Sequence, residues 1–162
     1  MSKIKVLFIC HGNICRSPMA EFVMKDLVHR RGMDDVVHIQ SAATSSEEIG
    51  NPVYAPARRK LEENGLDCKG KHAVQMTKQD YDRYDYLICM EDYNIRNMLR
   101  ITGGDPDHKI HKLMEYTSEP VDIADPWYSG DFDTTYQQIE QGCTAFLDKL
   151  CAVDMANRRK NM

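Results

Sequence analysis

The chain has 162 residues, with 21 Lys and Arg against 25 Asp and Glu, for a net charge of −4. That length suits one domain with a real hydrophobic core, and the acidic balance argues against a nucleic-acid backbone as the main partner. The 42% apolar content is ordinary for a globular chain, and the longest apolar run, Val6–Cys10, is too short to cross a bilayer, so no membrane partner is expected either. Met1–Lys5 leads into that run with no small-residue cleavage site behind it, unlike a signal peptide. The six cysteines (10, 15, 68, 89, 143 and 151) contain no Cys-x-x-Cys pair and read as reduced thiols, which points to the cytoplasm.

In chain order, Val6-Leu7-Phe8-Ile9-Cys10 is continuous rather than alternating, as expected of a central parallel strand covered on both faces. A turn at His11-Gly12-Asn13 follows. Ser17-Pro18 then supplies an N-cap with proline at the first helical position, so a helix is expected from Pro18 to about Arg31-Gly32. A second strand is expected at Val36–Ile39, and a short helix at Ala57–Asn64 ending on Gly65. Thr77 and Asp80 have the spacing of a capping box before a strand at Tyr86–Met90. A helix over Glu91–Arg100 closes at Gly103-Gly104, and a fourth short strand falls near Lys109–Leu113. An acidic, Pro-containing loop spans Glu119–Asp133. The last helix, capped by Asp133, carries Tyr136, Ile139, Cys143, Phe146, Leu147 and Leu150 at helical spacing down to about Met155. Residues 157–162 are polar and read as a frayed tail on a single domain covering 1–162. Strands alternating with helices imply an α/β fold with a parallel sheet and helices on both faces. In such sheets ligands bind beyond the carboxyl ends of the strands.

The loop after the first strand therefore carries the most weight. In Cys10-His11-Gly12-Asn13-Ile14-Cys15-Arg16-Ser17-Pro18, five residues separate a thiol from a guanidinium. That spacing lets the backbone curl so that successive N–H groups point inward as an anion nest, with the helix start adding its positive end. A tetrahedral oxyanion fits such a cradle. The same field favours a thiolate at Cys10, which makes it the candidate nucleophile. Arg16 can grip two phosphate oxygens as a fork, which lysine cannot match. Gly12 permits positive φ and close backbone approach, while Asn13 tolerates a left-handed conformation and can brace the loop through its amide. Expelling a phenolate also needs a proton donor; Asp125, biased by Pro126 to an extended conformation, is a candidate, although Asp105-Pro106 is a second such pair.

The loop resembles that of the low-molecular-weight protein tyrosine phosphatases. So do Ser41-Ala42-Ala43-Thr44-Ser45, Glu48-Ile49-Gly50-Asn51-Pro52, Asp85–Met90 and Asp125-Pro126-Trp127-Tyr128, so the likeness runs over nearly the whole chain. It implies a four-stranded parallel sheet of order 2-1-3-4. It also implies a phosphate-monoester hydrolase acting on phosphotyrosine proteins or small aryl phosphates, without metal or cofactor. By the same resemblance Cys10 is the nucleophile, Arg16 the phosphate clamp and Asp125 the general acid and base. Loop residues His11 to Cys15 and Ser17 would line the substrate site. Asn13, Ser17, Ser41 and His72 match positions that brace the loop from behind, although Ser17 can instead serve as a cap. Cys15 can trap an oxidised Cys10 as a disulfide, or simply pack. Trp127 and Tyr128 would wall the crevice and stack on a phenyl ring, leaving phosphoserine out of reach.

Two departures stand out: similar proteins carry an apolar residue at His11 and an aromatic one at Glu47, both on the crevice rim. Negative charge at Glu47 would favour basic residues flanking the phosphotyrosine. Protein arginine phosphatases share the scaffold but carry threonine where Ile14 stands. Thioredoxin-linked arsenate reductases relay through an extra cysteine pair, whereas Cys89 lies in an expected strand without a neighbour. A phosphocarrier, or a phosphate-binding module without hydrolysis, would keep the loop and not need Asp125. A monomer is the expected state.

Overall fold

The structure, a computed structural model, describes residues 3–160. Burial of Val6, Leu7, Phe8 and Ile9 on both sides puts β1 (Ile4–Cys10) inside the sheet. Around it run β2 (Val37–Ala43), β3 (Tyr86–Cys89) and β4 (Ile110–Lys112), all parallel, in the order β2-β1-β3-β4. This is the topology the family resemblance implies. In register, Val6 sits between Ile39 and Tyr86, and Cys10 reaches Ala43.

Alternation along β1 splits the core in two. Val6 and Phe8 pack with Met19, Val23, Ile139 and Phe146, beneath α1 (Arg16–Arg30), α2 (Ala55–Glu63) and the long α6 (Phe132–Lys160). Leu7 and Ile9 pack with Tyr81, Leu87 and Met98, beneath α3 (Lys78–Arg83) and α4 (Asp92–Thr102). Two further short elements, a 3₁₀ turn at Leu113–Tyr116 and α5 at Pro126–Ser129, lie in stretches where no helix was expected. Among the described residues no helix is long and apolar enough to cross a membrane.

Several boundaries differ from the sequence expectation for identifiable reasons. β2 continues to Ala43 because Ser41–Ala43 pair with Phe8–Cys10, a tertiary contact that the polar Gln40 and Ser41 conceal. The Thr77 capping box forms as expected, with Thr77 N donating to Asp80 Oδ2 at 2.8 Å. The cap of α6 is Asp131, not Asp133: Thr134 N donates to Asp131 Oδ1 at 3.0 Å, while Asp133 pairs with Lys60 on α2. The helix then runs to Lys160, past the expected end near Met155. Asn161 and Met162, the end of the expected tail, lie outside the described residues.

Gly142 marks where α6 meets the 3₁₀ turn. A Cβ there would stand 2.6 Å from Leu113 Cγ and 3.2 Å from Met114 Sδ, and Leu113 is fully buried. Replacing a mid-helix glycine by alanine ordinarily stabilises by about 1 kcal/mol, but overpacking a closed core costs about 1–3 kcal/mol. Gly142→Ala should therefore lower the unfolding free energy by a net of about 1 kcal/mol, read as a lower urea midpoint; a raised midpoint would refute the tight packing at Leu113.

Candidate active site

Cys10 ends β1, and the chain turns at once. Asn13 adopts φ 59°, the left-handed conformation that its short amide tolerates. Gly12 does not have positive φ, contrary to the sequence reading; a Cβ there would meet Glu48 Cγ at 3.4 Å, an ordinary contact. The turn brings two backbone N–H groups and a hydroxyl to one sulfur. Asn13 N lies 3.3 Å, Ser17 N 3.5 Å and Ser17 Oγ 3.0 Å from Cys10 Sγ. This is the surrounding that a thiolate requires.

α1 starts at Arg16 and not at Pro18, with Cys15 at the N-cap position and no side-chain cap. Ser17 is thus inside the first turn, its hydroxyl spent on Cys10 and on Asn13 Nδ2, which donates to it at 2.8 Å. Pro18 remains harmless there because first-turn N–H groups have no intrahelical partner. Cys15 is a buried free thiol. Burial pushes its pKa well above the ordinary thiol value, and the charge of Cys10 adds to the effect.

Behind the loop stands a buried polar brace. Asn13 Nδ2 also donates to Ser41 Oγ at 2.9 Å, and Ser41 Oγ donates to Glu21 Oε1 at 2.5 Å. Asn13 Oδ1 accepts from Val74 N at 3.2 Å. His72 does not join this brace: it is exposed, with its Nδ1 against Gly50 O at 3.2 Å. Lys71, one residue earlier, takes the place. Its Nζ donates to Ser41 O at 2.9 Å and lies 3.6 Å from Glu21. Burial pulls the Lys71 pKa below that of an ordinary lysine, with Glu21 opposing. The antiparallel bridge of Pro52 to His72 explains the one-residue difference, since adjacent side chains on an extended segment face opposite ways.

Arg16 is 1% exposed, and its Nη1 donates to Glu91 Oε2 at 2.5 Å and to Ile123 O at 2.8 Å. Its Nη2 lies 3.5 Å from Asp125 Oδ2. Burial works against the guanidinium charge, yet Cys10, Glu91 and Asp125 together hold its pKa above the ordinary value. Among the described residues its hydrogen bonds leave from Nη1 alone, so the scaffold anchors one corner of the fork and leaves the rest for a ligand. Asp125 is extended (φ −73°, ψ 114°), as Pro126 demands. Its Oδ1 accepts from Trp127 N at 3.1 Å, which makes it the cap of α5.

The resulting crevice, about 150 Å³, opens past the carboxyl end of β1 and is lined by Cys10, His11, Gly12, Ile14, Cys15 and Arg16, with Asp125, Trp127, Tyr128, Glu47 and Glu48 around them. Trp127 is half exposed, its ring 4.7 Å from that of Tyr54, while Tyr128 is 85% exposed. Glu47 stands exposed on the rim, its Oε2 3.1 Å from His11 Nε2. Cys89, at the end of β3, is fully buried, and burial pushes its thiol up to about 12.

Over residues 5–156 the chain matches the profile of the family described as low molecular weight phosphotyrosine protein phosphatase. The chain belongs to that family. It is 37% identical over 146 residues to the low molecular weight protein-tyrosine-phosphatase YfkJ of Bacillus subtilis, covering 89% of this chain and 94% of the relative. The crystal structure of YfkJ superposes with a TM-score of 0.90 over 94% of this chain and 97% of that one, at 35% identity. The human low molecular weight phosphotyrosine protein phosphatase is 39% identical over 156 residues, with 89% and 94% covered. DARP, a Drosophila arginine phosphatase, shares the fold at a TM-score of 0.81 and 32% identity, over 91% and 98% of the chains.

Around the phosphatase loop, Lys71, Glu21 and Glu91 are the residues that sequence reasoning missed. Glu21 sits one turn beyond the loop at a position where an acid reads as solvated surface. Glu91 looked like an ordinary helix start. Only burial of Glu21 at 2% and the 2.5 Å contact of Glu91 reveal their roles.

Removing one partner of a buried ion pair leaves an uncompensated charge, at a cost of about 3 kcal/mol. Glu21→Gln should lower stability by up to that amount and loosen the loop, since it leaves Lys71 buried while the more exposed Lys25, 2.6 Å from Glu21 Oε2, can turn to water. Glu21→Gln/Lys71→Met should recover the part that the buried charge costs, less the bond to Ser41 O. Denaturant midpoints of the two variants check this; equal losses would mean that Lys71 is neutral or hydrated.

Proposed function

We propose that the chain hydrolyses phosphotyrosine through a phosphocysteine intermediate. The observation that supports this best is the convergence of two N–H groups and the Ser17 hydroxyl on Cys10 Sγ, with Arg16 beside it and Asp125 at the crevice mouth. In the first step the Cys10 thiolate attacks phosphorus in line, an S–P bond forms and the P–O bond to the phenol breaks. Loop amides and the open edge of Arg16 hold the equatorial oxygens, and Asp125 gives its proton to the departing oxygen. In the second step Asp125 takes a proton from water as the water attacks phosphorus. The S–P bond breaks and the sulfur returns to its three donors as a thiolate. The charge that develops is carried by Arg16 and the backbone, so no step calls on a metal or cofactor.

Trp127 and Tyr128 would stack on the substrate ring, with Tyr54 backing Trp127. All six cysteines are free thiols, which supports a reducing, cytoplasmic setting. Phosphoarginine is the second substrate worth testing, because DARP is an arginine phosphatase. Ile14, in the position where the resemblance puts threonine for that activity, supports phosphotyrosine instead.

Phosphotyrosine, phosphoarginine and phosphoserine peptides compared side by side test the reading. Phosphotyrosine should turn over fastest and phosphoserine not at all, and Cys10→Ser should abolish turnover while still binding phosphate. Faster release from phosphoarginine would transfer the assignment to that substrate. For Asp125→Ala, the loss should reach about 10²–10⁴-fold on an aryl ester with a poor leaving group and be clearly smaller on an activated one. Equal losses would remove Asp125 from the acid role.

A further inference from the structure

Among the described residues three buried polar side-chain atoms have no hydrogen-bond partner: His11 Nδ1, Thr44 Oγ1 and Asn94 Nδ2. The first two belong to residues lining one cleft of about 230 Å³, whose other side is formed by Tyr93, Asn97 and Arg100 of α4. Thr44 is 7% exposed. An unsatisfied buried hydroxyl is costly and is rare in native proteins. An unpartnered hydroxyl in the wall of a cleft points to something that enters it.

The charges around the cleft say what that is. Tyr93, Arg96, Asn97 and Arg100 recur on one face of α4 at helical spacing. The Arg96 guanidinium lies over the Tyr93 ring at 5.8 Å, and Arg100 Nη1 donates weakly to Asn97 Oδ1 at 3.4 Å. Among the described residues neither arginine is paired with a carboxylate, a state shared by Arg59, whereas Arg16, Arg30, Arg31, Arg58 and Arg83 are paired. Two such arginines on one face of α4 make a local positive patch beside the cleft.

His11 joins this cleft to the catalytic crevice, because it lines both. Its Nε2 is held by Glu47 and its ring lies 5.9 Å from that of Tyr93, so the imidazole stands as a partition between the two. Anything bound in the cleft is therefore adjacent to a phosphotyrosine bound in the crevice.

We propose that the cleft between the Cys10 loop and α4 is an oxyanion subsite that reads a carboxylate or a second phosphate on the substrate chain, close to the phosphotyrosine. The inference rests on the phosphatase reading above and adds the substrate class. An entering oxyanion accepts a hydrogen bond from the Thr44 hydroxyl and faces the guanidinium of Arg100, the bidentate donor best matched to such a group. Glu47 and Glu48 on the crevice side repel the same group, so acidic residues are directed toward α4.

An extended peptide advances about 3.3 Å per residue, so the test walks one Glu through the four positions on each side of phosphotyrosine in a glutamine background. The measured quantity is kcat/KM relative to the all-glutamine peptide, with phenyl phosphate as the small substrate. Glu at one or two adjacent positions should raise kcat/KM about fivefold, as expected for a half-exposed ion pair, and phosphoserine there should do so at least as well. That preference should vanish in Arg100→Gln and fall in Thr44→Val, an isosteric change that deletes only the orphan hydroxyl. A flat scan, a preference for Lys, or a preference intact in Arg100→Gln would each overturn the subsite while phenyl phosphate is still hydrolysed. Failure to hydrolyse phenyl phosphate and every peptide would overturn the phosphatase reading, and the subsite with it.

Discussion

Everything at the catalytic end of this molecule depends on one sulfur gathering two N–H groups and a hydroxyl from a single tight turn. A turn that points N–H groups inward is unfavourable when nothing negative sits at its centre, since the amides lose water without gaining a full partner. Cys10 Sγ at the centre resolves this, and under the proposed mechanism a phosphoryl group does so during turnover, so that the same groups serve first the nucleophile and later the departing thiolate.

The turn holds its shape because the fold pins it from every side. Thr44 N donates to Cys10 O, Ser45 N to His11 O and Tyr54 N to Ile14 O, at 3.0, 3.1 and 2.8 Å. Asn13 sits at the centre of this scaffold, with its backbone left-handed and its amide bonded to Ser17, Ser41 and Val74. Such preorganisation removes the reorganisation that an unsupported loop would need as charge develops on phosphorus. The cost of burying Glu21 and Lys71 is accepted behind the loop, where an apolar substitute could not donate to Ser41 O or accept from Ser41 Oγ.

Arg16 shows the same division of labour. A guanidinium that is 1% exposed is stable only with counter-charges, and Glu91 and Asp125 supply them. Glu91 fixes the fork, whereas Asp125 lies at a looser 3.5 Å at the crevice mouth, where the proposed mechanism needs a carboxylate to exchange protons with a leaving group. Two acids around one arginine therefore differ in function through their distances and surroundings. On the rim, His11 and Glu47 form a polar pair between the crevice and the neighbouring cleft.

Much of this was legible in the residues alone. The unbroken apolar run Val6–Cys10 could only be an interior strand, and a thiol and a guanidinium separated by five residues after such a strand define an anion-binding turn by local geometry. Asp125-Pro126 likewise carries its extended backbone in its own chemistry. What the residues could not show are relations between distant segments: Lys71 rather than His72 behind Ser41, Glu91 behind Arg16, and Ser17 inside the first turn instead of capping it. Those outcomes turn on a one-residue register, on the start of α1 and on the position of β3 beside β1, each settled by long-range packing. Local periodicity and steric preference act over a few residues and are written in the sequence, while the pairing of buried charges depends on which strands meet, and only the folded chain decides that.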